Sequence, residues 1–129
     1  MNKSELMGAF NNHFIDFFNE VSLLFPENTD IKVAHTSFIA MKKANPKLII
    51  NIWREYIVTP YKKEIDAGNI DFFVNRNYTN DLKDASYGKT ILEKIDTLRE
   101  PIKTMGEENL KKTIGYVQNL TKICEFYYS

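Results

Sequence analysis

The sequence predicts an all-α protein, a compact bundle of five to six helices around a central Trp-bearing helix. Three observations predict it. Apolar residues recur at intervals of three and four along most of the chain, and no alternating strand pattern of useful length competes with them. Only five Gly and four Pro interrupt the 129 residues, which leaves room for long helices. The stretch 46–66, PKLIINIWREYIVTPYKKEID, holds the only Trp on one wide apolar face: Ile49, Ile52, Trp53, Tyr56, Ile57 and, past a proline, Tyr61 and Ile65. The length and the 43% hydrophobic fraction fit a single helical domain over residues 1–129.

The elements follow in order. The first helix is expected from Ser4, its candidate cap, to about Leu24. Its stripe is Met7, Phe10, Phe14, Phe17, Phe18, Val21 and Leu24, and Pro26 marks its end. A second helix, about Ile31 to Ala44, starts at Thr29 or Asp30 and turns Ala34, Phe38 and Met41 inward. Asn45 is expected to cap the central helix, with Pro46 at its first position, where a missing N–H costs nothing. Pro60 would clash with the Tyr56 carbonyl in a straight helix, so the central helix should kink or break near residue 60. Gly68 is the expected stop. A short helix in NIDFFVN would be capped by Asn69. The polar run at 75–88 reads as a surface loop or weak helix. A fifth helix, about Lys89 to Met105, carries Ile91, Ile95, Leu98 and Ile102 and should be kinked or shortened at Pro101. Gly106 separates it from the last helix, about Glu107 to Tyr127, whose inner face is Leu110, Ile114, Val117, Leu120, Cys124 and Tyr127.

Lys plus Arg balance Asp plus Glu at 17 each. Zero net charge argues against whole-molecule attraction to nucleic acid or an anionic membrane. The charge is nevertheless segregated. Residues 1–31 hold one base and five acids, a net of −4, while residues 32–63 hold seven bases and one acid, a net of +6. No apolar run suggests a signal peptide or a membrane span, and one Cys cannot form an internal disulfide, so an intracellular chain is expected.

Chemistry is sparse. His13 and His35 lie on different predicted helices; His13 has Asp16 three residues on, either a bland surface neighbour or an acid–base couple. Cys124 sits on an apolar face, where a buried thiol is the ordinary reading. No metal, cofactor or catalytic set is legible, and the chain is read as a non-enzyme. The strongest signal outside the core is a basic block. Lys42 and Lys43, with Lys47, flank the turn before the central helix. Lys47, Asn51 and Arg54 fall at i, i+4 and i+7, one polar stripe opposite the Trp face. Such a stripe is also what the solvated back of an amphipathic helix presents, and that is the commoner case. As a binding surface it would suit a protein partner or self-association better than nucleic acid. Asn51 is the only base-reading side chain on it, and the aromatics are expected to face the core.

Phe10-Asn11-Asn12 with its Phe-rich helix, Leu24-Phe25-Pro26, Lys43-Ala44-Asn45-Pro46 and Pro60-Tyr61 resemble small proteins encoded by large nucleocytoplasmic DNA viruses, the giant viruses of algae and protists. The resemblance covers the first half of the chain. It implies a viral origin, an all-helical fold, and residence in the host cytoplasm or the virion. It carries no activity and no site residue. The function expected is therefore contact: a virion component, an assembly factor or a binder of a host protein. The alternative is a nucleic-acid accessory protein using residues 42–54.

Overall fold

The computed structural model of the chain describes residues 2–74 and 88–129. The segment expected at 75–88 to be a loop or weak helix lies, up to residue 87, outside them. The fold is all-α, with no strand among the described residues. In chain order it comprises α1 (Lys3–Leu24), α2 (Thr29–Ala44), α3 (Leu48–Trp53), a widened π turn (Arg54–Val58), α4 (Thr59–Asp66), α5 (Asp71–Val74), α6 (Gly88–Asp96), α7 (Arg99–Thr104) and α8 (Glu107–Tyr128). No helix among the described residues is long and apolar enough to cross a membrane.

The two longest helices, α1 and α8, run antiparallel. The Lys3 ammonium lies 5.5 Å from the centre of the Tyr127 ring, and His13 stacks on Tyr116 at 4.7 Å. Helix α2 packs on α1, and α3 touches α1, α2, α6 and α8. That four-sided cover is what makes the Trp-bearing helix central. It also explains why Ile50, off the predicted stripe, is buried with Ile49, Ile52 and Trp53; Val58, also off it, is buried in the π turn, which packs on α8. Phe14 is the hub of the core. Its ring meets Phe10 at 6.0 Å and Phe18 at 5.3 Å along α1, Phe38 of α2 at 4.8 Å, and Trp53 at 5.9 Å, the last two edge to face. Such aromatic pairs add about 0.5–1.5 kcal/mol each beyond the area they bury.

Helix ends are set by side chains close to those predicted, with some shifts. Asn2, not Ser4, caps α1; its Oδ1 accepts the Glu5 N–H at 2.8 Å. Asn28 caps α2 by accepting the Ile31 N–H, one residue before the expected start. Asn45 does not cap the central helix. It ends α2, donating its backbone N–H to Met41, and Pro46 lies in the turn that precedes α3. Leu24, at the end of the α1 stripe, is 44% exposed.

The kink expected near residue 60 takes the form of the π turn. The Thr59 N–H reaches back five residues to the Arg54 carbonyl, and the Thr59 hydroxyl donates to the same oxygen at 2.9 Å. A wider turn removes the clash that Pro60 would cause in a regular helix. Tyr61 just beyond has φ −126° and ψ 16°, so the axis bends there. Gly68, at φ +73°, stops α4. The N–H groups of Gly68 and Asn69 then return to Ile65 and Glu64, the paired closure typical of a glycine stop. Asn69 accepts the Asp71 N–H and starts α5, as its sequence suggests.

The predicted fifth helix is two helices. Pro101 has no N–H to offer the Thr97 carbonyl, and the chain turns at Thr97 and Leu98 between α6 and α7. An Arg99–Asp96 ion pair spans the turn at 2.5 Å. Ile91, Ile95, Leu98 and Ile102 are all buried, so the stripe was right although the element breaks.

Candidate functional site

The basic stripe is held from both ends of the sequence. Lys42 of α2 donates to the Asn12 amide oxygen of α1. Lys43 and Lys47 are exposed. Asn51 and Arg54, four and seven residues after Lys47, converge on Tyr128 in the last turn of α8. The Tyr128 hydroxyl donates to the Asn51 amide oxygen, and the Arg54 guanidinium lies 4.2 Å from the centre of the ring. The structure thus joins Asn51 and Arg54 through a residue that sequence reasoning did not include. It ties Lys42 to α1 instead. Burial, helped by the nearby Cys124 and Tyr127, pushes the Tyr128 phenol up from its ordinary value against the pull of Arg54, so it stays a neutral donor.

Asn51, Arg54, Glu55, Thr59 and Tyr128 line a shallow depression of about 360 Å³. The π turn forms one of its walls. Beside it, Lys62 bridges Asp66 at 2.8 Å and Glu125 at 3.1 Å. Acids therefore alternate with bases at this end of the stripe. Acids beside the cations weaken the attraction of this surface for a polyphosphate chain.

The other sequence candidates resolve plainly. Cys124 is enclosed between α8 and α3, with its sulfur 3.8 Å from the Ile50 carbonyl. Burial pushes its thiol up to about 12, the reverse of what activates a nucleophile. Among the described residues no group of three or more His, Cys, Asp and Glu is placed to hold a metal ion. Asp16 does act on His13, but burial outweighs it and lowers the His13 pKa below 6.5. Asn11, given no structural role by the sequence reading, is buried and donates to the Pro46 carbonyl at 2.8 Å, fastening α1 to the turn before α3. Comparison with protein-family models, curated proteins and solved structures finds no match to this chain.

Proposed function

We propose that the chain works by protein–protein contact and catalyses no reaction, using the surface of Lys42, Lys43, Lys47, Asn51 and Arg54, completed by Tyr128. One observation carries the proposal: an Arg and a Tyr, the residue types that most often anchor interfaces, are held against each other on an otherwise solvated face. The Asn51 amide fixes the phenol, so little side-chain freedom is left to lose on binding. Exposed cations at Lys43 and Lys47 give the face a positive sense. Its complement is an acidic protein surface, of viral or host origin if the resemblance of the first half holds, or a second copy. The acidic first quarter of the chain makes the second copy a real competitor. A role in the virion, in assembly, or on a host protein in the cytoplasm fits this reading.

The test is capture from cells in which the protein is expressed, with wild type beside a Lys42→Glu, Lys43→Glu, Lys47→Glu, Arg54→Glu variant. The variant should keep its melting temperature within a few degrees, since exposed charges contribute little. It should lose the partners. Equal capture by both proteins reduces the stripe to a solvated face. Binding of the wild type to DNA that weakens steeply with salt replaces the protein partner with nucleic acid.

A further inference from the structure

The outer face of the α1–α2 hairpin carries opposite charge on its two helices. After Lys3, α1 holds Glu5, Asp16 and Glu20 and no Lys or Arg. From Ile31 to Arg54 the chain holds five bases and no acid. Asp16, Glu20, Lys32 and Lys43 are all exposed, and none of the four is in an ion pair among the described residues.

Apolar residues lie between these charges. Leu23 is 67% exposed, Val33 57% and Ile39 37%, three of the five large apolar side chains exposed among the described residues. Asn12, Asp16, Asn19 and Leu23 follow one another at i, i+4, i+7 and i+11, all exposed, on the side of α1 opposite its buried phenylalanines. Lys32, Thr36, Ile39 and Lys43 have the same spacing on α2 and are exposed as well. Exposed apolar residues gathered on one face mark a contact surface, whereas scattered ones do not. An acidic stripe beside a basic one makes the face complementary to itself. A polyanion or an anionic membrane would meet the acidic stripe together with the basic one, and only the second attracts it.

Packing within one copy fixes how two copies align. Phe38 meets Phe14 at 4.8 Å and Phe18 at 4.9 Å, so it is level with Asp16 between them. Lys42, one turn on along α2, meets Asn12, one turn back along α1. The two helices are therefore antiparallel, and Glu20 is level with Ala34. A two-fold axis between the helices and parallel to them sets α1 of each copy on α2 of the other and keeps every level. Glu20 then lies over Lys32 and Val33 of the second copy, with Leu23 beside them. Asp16 lies over Ile39, within reach of Lys43. The symmetry makes each contact twice. We infer that the chain forms a symmetric dimer through the outer face of α1 and α2, with Glu20–Lys32 and Asp16–Lys43 as the paired charges and Leu23, Val33 and Ile39 between them. The inference rests on the contact reading proposed above, shares Lys43 with that surface, and names a second copy as a partner.

Sedimentation velocity of the full chain, from about 1 μM to about 1 mM, reads the assembly. Wild type should pass from monomer to dimer over that range and go no further. Raising salt from about 0.1 M to about 1 M shortens the screening length from about 10 Å to about 3 Å and should weaken the dimer. Lys32→Glu and Glu20→Lys are exposed changes outside the Lys42–Tyr128 surface. Each should weaken the dimer about tenfold, because two exposed ion pairs turn repulsive. Mixed in equal amounts, the two variants should dimerise as wild type does, since each supplies the charge that the other lacks. Recovery in the mixture also shows that both variants are folded. Wild type that stays monomeric at about 1 mM, or that grows past a dimer, overturns the inference. So does undiminished dimerisation of Lys32→Glu, or a mixture that does not recover. None of these results alters the capture test of the stripe, in which Lys32 and Glu20 are unchanged.

Discussion

The Trp53 indole N–H donates to the Thr121 hydroxyl at 3.3 Å, joining the central helix to α8 across 68 residues of sequence. The same indole meets Phe10 and Phe14 edge to face, so one side chain touches both long helices. Trp53 is 3% exposed and Thr121 1%. A buried indole N–H needs a partner, and Thr121 is the one it has.

This pair sets the first prediction. Trp53→Ala should cost about 3–5 kcal/mol in urea unfolding, through lost area and the cavity left behind. Thr121→Val keeps the shape but orphans the indole N–H, and should cost about 1–3 kcal/mol. Adding Thr121→Val to a Trp53→Phe background should cost clearly less than that, because the donor is already gone. Equal costs in the two backgrounds would show that the hydrogen bond contributes nothing. Iodide should quench the fluorescence of the folded protein only weakly.

Two glycines should respond in opposite directions to the same change. Gly68 adopts φ +73°, where an added Cβ is strained although its nearest neighbours lie 3.8 Å away. Gly68→Ala should destabilise by about 1–2 kcal/mol. Gly115→Ala meets no obstruction and should stabilise α8 by roughly 0.5–1 kcal/mol. Urea midpoints that move the same way for both would contradict the backbone assigned to Gly68 or the open space at Gly115.

Stability should depend on pH through His13. Burial lowers its folded pKa below 6.5, with Asp16 opposing. Between 6.5 and the folded value the unfolded state binds more protons, so stability falls as pH drops through that window. Asp16 acts on the ring, Tyr116 stacks on it, and Glu20 and Lys112 line the same depression between α1 and α8. His13→Gln should flatten that part of the profile in urea melts taken from pH 7 downward. An unchanged slope in the variant would assign the dependence to other groups.

The Cys124 thiol should be inert in the native protein. Pushed up to about 12, it is protonated at pH 8, and it is enclosed as well. Ellman's reagent should react with it only as fast as the chain unfolds. Because the native state holds this proton where the unfolded state releases it, stability should fall as pH rises above 9 toward 12. Rapid, full labelling of native protein at pH 8 would place the sulfur at the surface.

Much of the fold was legible because its causes are local. Phe10, Phe14, Phe17, Phe18 and Val21 announce one buried face by spacing alone, and Gly68 and Asn69 carry their own backbone preferences. Errors arose where two local readings compete. Asn45 can end one helix or begin the next, and tertiary contact from Asn11 to the Pro46 carbonyl favours the turn. Ile50 was missed because periodicity finds one face, whereas a helix covered on four sides buries more; Val58 was missed because the π turn shifts the helical register. The candidate site was half legible. Lys47, Asn51 and Arg54 lie within two turns of one helix, but Tyr128 reaches Asn51 from 77 residues away, and nothing in sequence links them. In the α1–α8 depression the residue the sequence singled out was His13, and spacing cannot connect it with Tyr116 of the last helix, on which it stacks.

The last prediction concerns Tyr128, because it separates the two ways this residue could serve a binding surface. Its ring supports the Arg54 guanidinium, and its hydroxyl is held by Asn51. Tyr128→Phe keeps the ring and removes the hydroxyl. Tyr128→Ala removes both. The residue is half-buried, and an exposed cation–π contact is worth about 0.5–1 kcal/mol. Neither variant should therefore change stability by more than about 1 kcal/mol. If the surface acts through a pre-positioned Arg54, Phe should retain most partner capture and Ala should lose most of it, since Arg54 then regains the freedom it must give up on binding. Adding Arg54→Ala to Tyr128→Ala should cause little further loss, because the ring acts through the guanidinium. If instead the hydroxyl contacts the partner, Phe and Ala should fail alike. Full capture by Tyr128→Ala, with Arg54 intact, would remove Tyr128 from the surface and leave the lysines alone to account for binding.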